Sequence, residues 1–407
     1  MPIDFGTLAR PRPRKRLVEP LELFGSLRVT DAAVNDLWHA QGTALSEWHQ
    51  ERAKRDIAIV LNTGAGKTLV GLLAAQSLAN ETDAHVLYAC STLNLVDQTV
   101  EKAHGYGLDV TTYTRGTFSN DLYRQGQAPC ITTYQALFNG RSRFFADRPA
   151  AIVFDDAHTA EHILRDRFTL RIRRERHEAL FQAIVALYRS YHTRTGQDMG
   201  YLETQQADAS PASWFVPPFA VREGLGELQR LLAAAGLGED TETLFAWAYL
   251  RDHIEQCALF ISGRAVTLTP PYLPTASLPY FGADTRRIYL SATLTARDGF
   301  LRTFGREPDA IVAPRTSAGE CERLILLPGT RGRQEEDIDT AKTIIAGEKA
   351  LILTPTHRRA EDWEDVADRD RDEDVTAQLS AFKVATPPAA LALAGRYDGV
   401  DLPGDTC

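Results

Sequence analysis

Apolar positions in the first 160 residues fall in short continuous runs separated by stretches with three- and four-residue spacing. Ile57–Leu61, His85–Ala89, Leu108–Tyr113, Cys130–Thr133 and Ala150–Phe154 are such runs. Length and continuity predict strands buried on both faces, as in a parallel sheet. Between them, Leu69, Val70, Leu72 and Leu73 share one helical face, and Leu95–His104 and Tyr134–Phe138 also read as helices. Upstream, Asp31–Lys54 spaces Leu37, Trp38, Leu45 and Trp48 for a buried helical face. Strand–helix alternation of this kind predicts an α/β fold, a parallel sheet covered by helices.

From Thr159 to about Thr285 the rhythm stops. Glu178–Tyr191, Glu227–Ala235 and Thr241–Phe260 read as helices, with a polar, Pro-containing stretch at Thr193–Pro218. Pro270–Pro279 is too poor in backbone donors for a central strand and reads as a return path. Arg287–Leu290 then resumes the sheet, and a second α/β pattern follows. Its strands are expected at Leu324–Leu327, Ala350–Leu353 and Ala389–Ala394, with helices at Ile338–Ile345 and His357–Val366. The expected organisation is a basic N-terminal arm (1–29), an α/β domain (30–158 with 286–316), a mostly helical insertion (159–285) and a partial second α/β domain (317–407).

The first strand, Ile57–Leu61, runs into Asn62-Thr63-Gly64-Ala65-Gly66-Lys67-Thr68 and then into a helix. Strand, glycine turn, Lys-Thr and helix form the context of a phosphate-binding P-loop. Glycines let backbone N–H groups approach phosphate, and the helix N-terminus favours negative charge. Lys67 would reach the β- and γ-phosphates, and the Thr68 hydroxyl would ligate Mg²⁺. The strict pattern has glycine where this chain has Leu61, which argues against kinase and GTPase classes and for a shorter TGxGKT loop.

A second candidate lies at the end of the apolar run Ala150–Phe154, in Asp155-Asp156-Ala157-His158. A strand ending in carboxylates suits an NTPase: Asp155 would hold Mg²⁺ and Asp156 would orient and deprotonate the attacking water. The plainer role for two such acids is to cap the following helix; a P-loop upstream in the same sheet favours the chemical one. Gln41 precedes the loop, and its amide offers both a donor and an acceptor to an adenine edge, although a surface glutamine is commonplace.

Composition narrows the classes. With 44% hydrophobic and 24% charged residues, 407 residues is ordinary globular protein and long enough for two or three domains. No window is long and apolar enough to span a membrane, and the Arg/Pro-rich start lacks a signal-peptide core, so a cytoplasmic protein is expected. Cys90, Cys130, Cys257, Cys321 and Cys407 are scattered, which supports neither a disulfide framework nor a zinc or iron–sulfur site. A net charge of −9 does not advertise a nucleic-acid binder, but local basic runs occur at Arg10–Arg16 and Arg165–Arg176. Each would serve as a solvated surface or as a phosphate track.

In order, these segments resemble the motif series of superfamily 2 helicases, the DEAD/DEAH-box-like ATPases. Thr63–Thr68 (TGAGKT) is similar to motif I, Asp155–His158 (DDAH) to motif II and Ser291–Thr293 (SAT) to motif III. Ser91–Gln98 (STLNLVDQ) looks like motif Ia and Ile131–Leu137 (ITTYQAL) like the next strand-binding motif. Leu353–Arg358 (LTPTHR) is similar to motif IV and Arg396–Gly404 (RYDGVDLPG) to motif V. The long insertion followed by YLSATLTARDGFLRTFG further resembles the XPD/DinG-like branch, which usually carries an iron–sulfur cluster that these cysteines do not provide.

The resemblance implies two RecA-like domains with ATP and Mg²⁺ between them. It implies nucleotide contacts from Gln41, Thr63, Gly64, Ala65, Gly66, Lys67 and Thr68, metal contacts from Thr68 and Asp155, and catalytic roles for Lys67, Asp155, Asp156 and His158. Nucleic-acid or coupling roles would fall to Thr92, Gln98, Thr133, Ser291, Thr293, Thr354, Arg396, Gly399 and Asp401. The expected function is an ATP-dependent helicase or translocase on nucleic acid, DNA favoured over RNA. Two departures bear on it. Asp156 stands where the family has Glu, and the chain reaches Cys407 without the motif VI arginines, so a partner subunit or a missing C-terminal segment is expected to supply that charge. The alternative is a non-catalytic ATP-binding regulator or scaffold subunit of a nucleic-acid-processing or defence complex.

Overall fold

The computed structural model describes residues 16–395 apart from 32–33, 83, 140–141, 197–212, 294–296, 316–333 and 370–374. The strand expected at Leu324–Leu327 lies outside the described residues. Two compact units divide the chain, Met1–Glu320 and Cys321–Cys407.

The first unit is built on strands β1 (Asp56–Val60), β2 (Val86–Cys90), β3 (Thr111–Thr114), β4 (Thr117–Phe118), β5 (Cys130–Thr133) and β6 (Ala151–Phe154). An excursion holds β7 (Leu170–Arg173), β8 (Ser213–Val216), β9 (Ala258–Ser262) and β10 (Ala265–Thr269), and the main sheet is completed by β11 (Arg286–Ser291) and β12 (Ala310–Val312). Its spatial order is β12-β1-β11-β6-β2-β5-β3-β4, parallel throughout except for the β3–β4 hairpin. The apolar runs of β1, β2 and β6 are buried, as expected of strands covered on both faces.

Helices α1 (Pro20–Ser26), α2 (His39–Glu51), α3 (Lys67–Thr82) and α4 (Leu93–Gly105) supply much of one cover. Trp48, Leu69, Val70, Leu73 and Val96 interlock with Ile57, Ile59, Tyr88 and Leu290. Packing of α3 on the sheet is tight at Gly71, where a Cβ would stand 2.4 Å from Leu290 Cδ1 and 2.9 Å from the Tyr88 ring. The opposite face carries an aromatic core in which Phe154 stacks on Tyr289 at 5.2 Å between centroids. Part of the expected N-terminal arm is helical: Pro20 opens α1, and the Glu19 carboxylate accepts from Glu22 N.

The insertion between β6 and β11 contains α6 (Ala160–Phe168), α7 (Glu178–Arg194), α8 (Pro218–Glu223), α9 (Leu225–Ala234) and α10 (Leu244–Leu250), following the short α5 (Tyr134–Leu137) of the main fold. It also contains an antiparallel sheet of order β7-β10-β9-β8, which the helical expectation lacked. The helix expected over Thr241–Phe260 ends at Leu250, and Ala258–Ser262 is β9. Alternation explains the difference. In β7, Leu170 and Ile172 point into a core with Phe181, Ile184 and Val185 of α7, while Arg171 and Arg173 point out. Read with the arginines around it, that two-residue alternation looks like a charged loop. β12 lies where the sequence pattern predicts a connector; its three residues pair with Ile57–Ile59 at the sheet edge.

The second unit pairs β13 (Lys349–Thr354), β14 (Asp368–Arg369) and β15 (Ala389–Ala394) in parallel, in the order β13-β15-β14.

One buried ion pair fixes how the main sheet closes after the insertion. Asp56 and Arg287 are register partners on β1 and β11. Arg287 Nε and Nη2 donate to Asp56 at 2.5 and 2.8 Å, Tyr289 OH donates at 2.9 Å and Arg306 Nη1 at 3.2 Å. The remaining Arg287 nitrogen donates to the Tyr280 and Gly282 carbonyls. Burial alone would raise the Asp56 carboxyl, but the Arg287 bond and charge, with Tyr289 and Arg306, outweigh it and hold it below the ordinary value. Removing one partner leaves the other charge buried and unpaired. Arg287→Met should therefore cost about 3–5 kcal/mol of stability, read as a lower urea midpoint at pH 7; an unchanged midpoint would exclude this pair as the tie between β1 and β11.

Candidate nucleotide site

The carboxyl ends of β1, β11 and β6 lie side by side, and each delivers one segment to the same edge. From β1 the ladder continues one step, Leu61 N donating to Ser291 O at 3.0 Å, before the chain turns through Asn62–Gly66 into α3. Gly64 and Gly66 adopt φ of +82° and +74°, a region in which a Cβ is strained. At Gly66 space is closed as well, since an added Cβ would fall 2.2 Å from Gln41 Nε2.

Gln41 reaches the loop from α2 and is buried. Its Nε2 donates to Ala65 O at 2.9 Å, and its Oε1 accepts from Trp38 N at 3.0 Å. Both ends of the amide are thus used within the chain, where it braces the loop. Ala65 is buried, Thr63 is exposed at the loop tip, and Thr68 is half-buried in the first turn of α3.

From β6 the backbone makes an unusual step. Asp155 N still donates to Ala89 O at 2.9 Å, on the β2 side, whereas Ala157 N donates to Leu290 O at 2.7 Å, on the β11 side. Between them Asp156 takes φ of +45°, a left-handed conformation uncommon for a residue with a side chain. Asp156 Oδ1 lies 3.6 Å from Lys67 Nζ and 3.9 Å from His158 Nδ1. His158 Nδ1 in turn sits 3.5 Å from Ser291 Oγ, which accepts from Thr293 N at 3.1 Å. Lys67, Asp155, Asp156, His158 and Ser291 are therefore brought to one sheet edge from three strand ends.

Asp155 is buried, beside the Tyr88 hydroxyl and within the field of Lys67. Burial, reinforced by the adjacent Asp156 charge and opposed by Lys67, pushes its carboxyl from 3.8 up to about 7. Tyr134, which sequence reasoning passed over, anchors this strand end: its buried hydroxyl donates to Asp155 O at 2.8 Å. Its only signal in the sequence is its place, directly after the β5 apolar run.

Thr92 and Thr133 cap α4 and α5, accepting from Leu95 N and Ala136 N at 3.2 Å each. They stand after β2 and β5 on the same sheet edge, and Gln98 lies half-buried within α4. Thr354 ends β13 in the second unit, buried, with its hydroxyl near Thr356 O and Leu393 O. Arg396, Gly399 and Asp401 lie outside the described residues.

Residues 35–185 match the family model described as type III restriction enzyme, res subunit. Among solved structures, an apo XPD aligns at TM-score 0.53 and 16% identity, covering 87% of this chain and 79% of that one. Xpd4 of S. tokodaii aligns at TM-score 0.52 and 14% identity, covering 88% and 83%. The DUF1998 helicase MrfA bound to DNA aligns at 0.48 and 14%, covering 97% and 46%. No curated protein sequence matches. Sequence likeness to that family model covers residues 35–185, and the chain shares its fold with the two XPD structures.

The raised Asp155 carboxyl carries a stability consequence. Between about pH 4 and 7 the folded chain retains a proton that the unfolded chain releases, so this group makes stability fall as pH rises, with the full penalty present above 7. Asp155→Asn removes that penalty. Without divalent cations, its melting temperature should exceed that of the unsubstituted chain by roughly 4–8 °C at pH 8, with the gap closing toward pH 4. A gap independent of pH would refute the assignment.

Proposed function

We propose that this chain is an ATP hydrolase stimulated by nucleic acid, working as a helicase or translocase. The observation that carries the proposal is the meeting of Lys67 and Asp156, 3.6 Å apart, over the left-handed glycine turn at the carboxyl edge of a parallel sheet. Ligands collect at such edges, and backbone N–H groups at the head of α3 suit a phosphate chain. The donor set fits a magnesium nucleotide. The left-handed backbone at Gly64 and Gly66 is a form in which loop N–H groups can converge on an anion, and a buried acid beside a second acid is a pair that a divalent cation relieves.

ATP bound with Mg²⁺ would supply the phosphoryl group and neutralise part of its charge. The chain's own residues would do the rest. The loop N–H groups and Lys67 would hold the phosphates, and the Thr68 hydroxyl and Asp155 carboxylate would hold the cation. The Asp156 carboxylate would orient the attacking water and take its proton. His158 would link Asp156 to Ser291 on β11, tying the state of the site to the strand that ends in Ser291–Thr293. Adenine recognition by Gln41 would exchange its bonds to Ala65 and Trp38 for the base edge. Phosphate-directed contacts from the strand-end turns at Thr92 and Thr133 would make binding fall steeply with salt. DNA is favoured over RNA as the polymer.

Lys67→Ala should abolish turnover, and Asp156→Asn should lower it about 10²- to 10⁴-fold, while Asp156→Glu should retain or raise it. Hydrolysis measured with single-stranded DNA, duplex DNA and RNA checks this. Turnover surviving Lys67→Ala would sink the proposal. Tight ATP binding with no stimulated turnover would favour instead a non-catalytic ATP-binding subunit, which the short Asp156 side chain would suit.

A further inference from the structure

The antiparallel sheet of the insertion turns one face to the core and leaves the other open among the described residues. On the core side Leu170, Ile172, Val216, Leu259, Ile261, Val266 and Leu268 are fully buried against α7 and its neighbours. Across the open face, register aligns Arg171 of β7, Thr267 of β10, Phe260 of β9 and Phe215 of β8 in one row. The two phenyl rings lie 5.2 Å apart at 41°, and Phe215 is 45% exposed. At the β7 end, Arg171 and Arg173 are exposed and flank an open basin of 1170 Å³ that Arg264 also lines. One face thus grades from paired aromatics on β8 and β9 to guanidiniums on β7, roughly 10 to 14 Å away at the usual spacing of strands.

A purely structural role for the rings would be a cross-strand pair that stabilises the β8–β9 ladder. That role does not account for Arg171 at the other end of the same row, or for Arg173 two residues along β7. Arg171 pairs with Asp166 at 3.1 Å, and Arg173 with Glu242 at 3.3 Å and Glu175 at 3.9 Å. All of these groups are at least 42% exposed, so each pair is worth about 0–1 kcal/mol and can be exchanged for phosphate. Aromatic faces beside exchangeable guanidiniums match the two demands of an unpaired polynucleotide: rings for its bases and cations for its backbone. Duplex nucleic acid offers no exposed base faces to such rings.

We propose that this sheet face is a binding platform for single-stranded nucleic acid, with bases stacked on Phe215 and Phe260 and phosphates at Arg171 and Arg173. It is separate from the Lys67–Asp156 site, and it rests on the proposed function only in the class of polymer bound. Phe260→Leu keeps apolar bulk without a ring, and Phe260→Tyr keeps the ring, so together they separate stacking from folding.

The test is fluorescence anisotropy of a labelled oligothymidylate with the full chain, in the absence of nucleotide. Phe260→Leu and Phe215→Leu should each weaken binding between about 5- and 150-fold. Phe260→Tyr should bind within about twofold of the unsubstituted chain. Replacing Arg171 and Arg173 by Gln should flatten the salt slope by about 0.7 for each arginine, and hydrolysis without polymer should be unchanged in all variants. An unsubstituted chain that binds the oligonucleotide while Phe260→Leu binds equally well overturns the platform alone, leaving the face to a protein contact or to ladder packing. An unsubstituted chain that does not bind it overturns both this proposal and the helicase function.

Discussion

Everything in the first unit depends on β11 returning to the right slot. After an excursion of more than a hundred residues, the chain must lie between β1 and β6 in parallel register, because Ser291 is useful only beside Leu61 and Asp156. Hydrophobic burial cannot choose among slots, since Ile57, Val153 and Ile288 are interchangeable apolar surface. A slip of one residue would also turn every side chain of β11 to the opposite face. The Asp56–Arg287 pair supplies the missing specificity. It lies at the amino ends of its strands and is fully buried, so any other register would leave two charges without partners, a cost that a buried pair makes severe. Arg306 and Tyr289 join the same carboxylate, so the segment after β11 is placed by it too.

With register set at one end, the opposite end of the sheet is assembled without further choice. The ladder bonds of Asp155 to β2 and of Ala157 to β11 pull the backbone in two directions, and the left-handed Asp156 is where that divergence is absorbed. Strain of this kind costs on the order of 1–3 kcal/mol and persists only where surrounding bonds over-determine it. Here they do, and the result turns one carboxylate outward to Lys67 while its neighbour stays buried. Two adjacent acids thereby acquire different environments, the usual route to different chemical roles.

The fold and the site were unequally legible in the sequence. Strands such as Ile57–Val60 and Ala151–Phe154 announce themselves because burial on both faces demands unbroken apolar runs, and the Gly64–Thr68 turn has a composition with few other uses. The antiparallel sheet was missed because a sheet open on one face needs apolar residues only at alternate positions. In β7 the alternate positions are arginines, and in β8 the four residues of SWFV are too few to show a period. Gln41 could be singled out by position, yet its engagement with Ala65 could not, since that contact spans two helices and a loop whose packing is a tertiary matter. Pairing of Asp56 with Arg287 was equally hidden: 231 residues separate them, and neither residue is unusual in its local surroundings.

The insertion departs from the site itself. Thr159, which follows DDAH directly, donates through both its N–H and its hydroxyl to Asp156 O, at 2.8 and 2.9 Å, and α6 begins at the next residue. At the base of the insertion Arg165 Nη1 donates to Pro270 O on the return path, and Glu161 bridges Arg165 at 2.8 Å and Arg302 at 3.6 Å, the latter in α11 (Arg297–Phe304) after β11. Outgoing and incoming chains are therefore clamped to each other and to the segment that carries Ser291. The left-handed Asp156 turn and the Ser291–Thr293 segment, one on each side of this clamp, meet at His158, 3.9 Å from Asp156 Oδ1 and 3.5 Å from Ser291 Oγ.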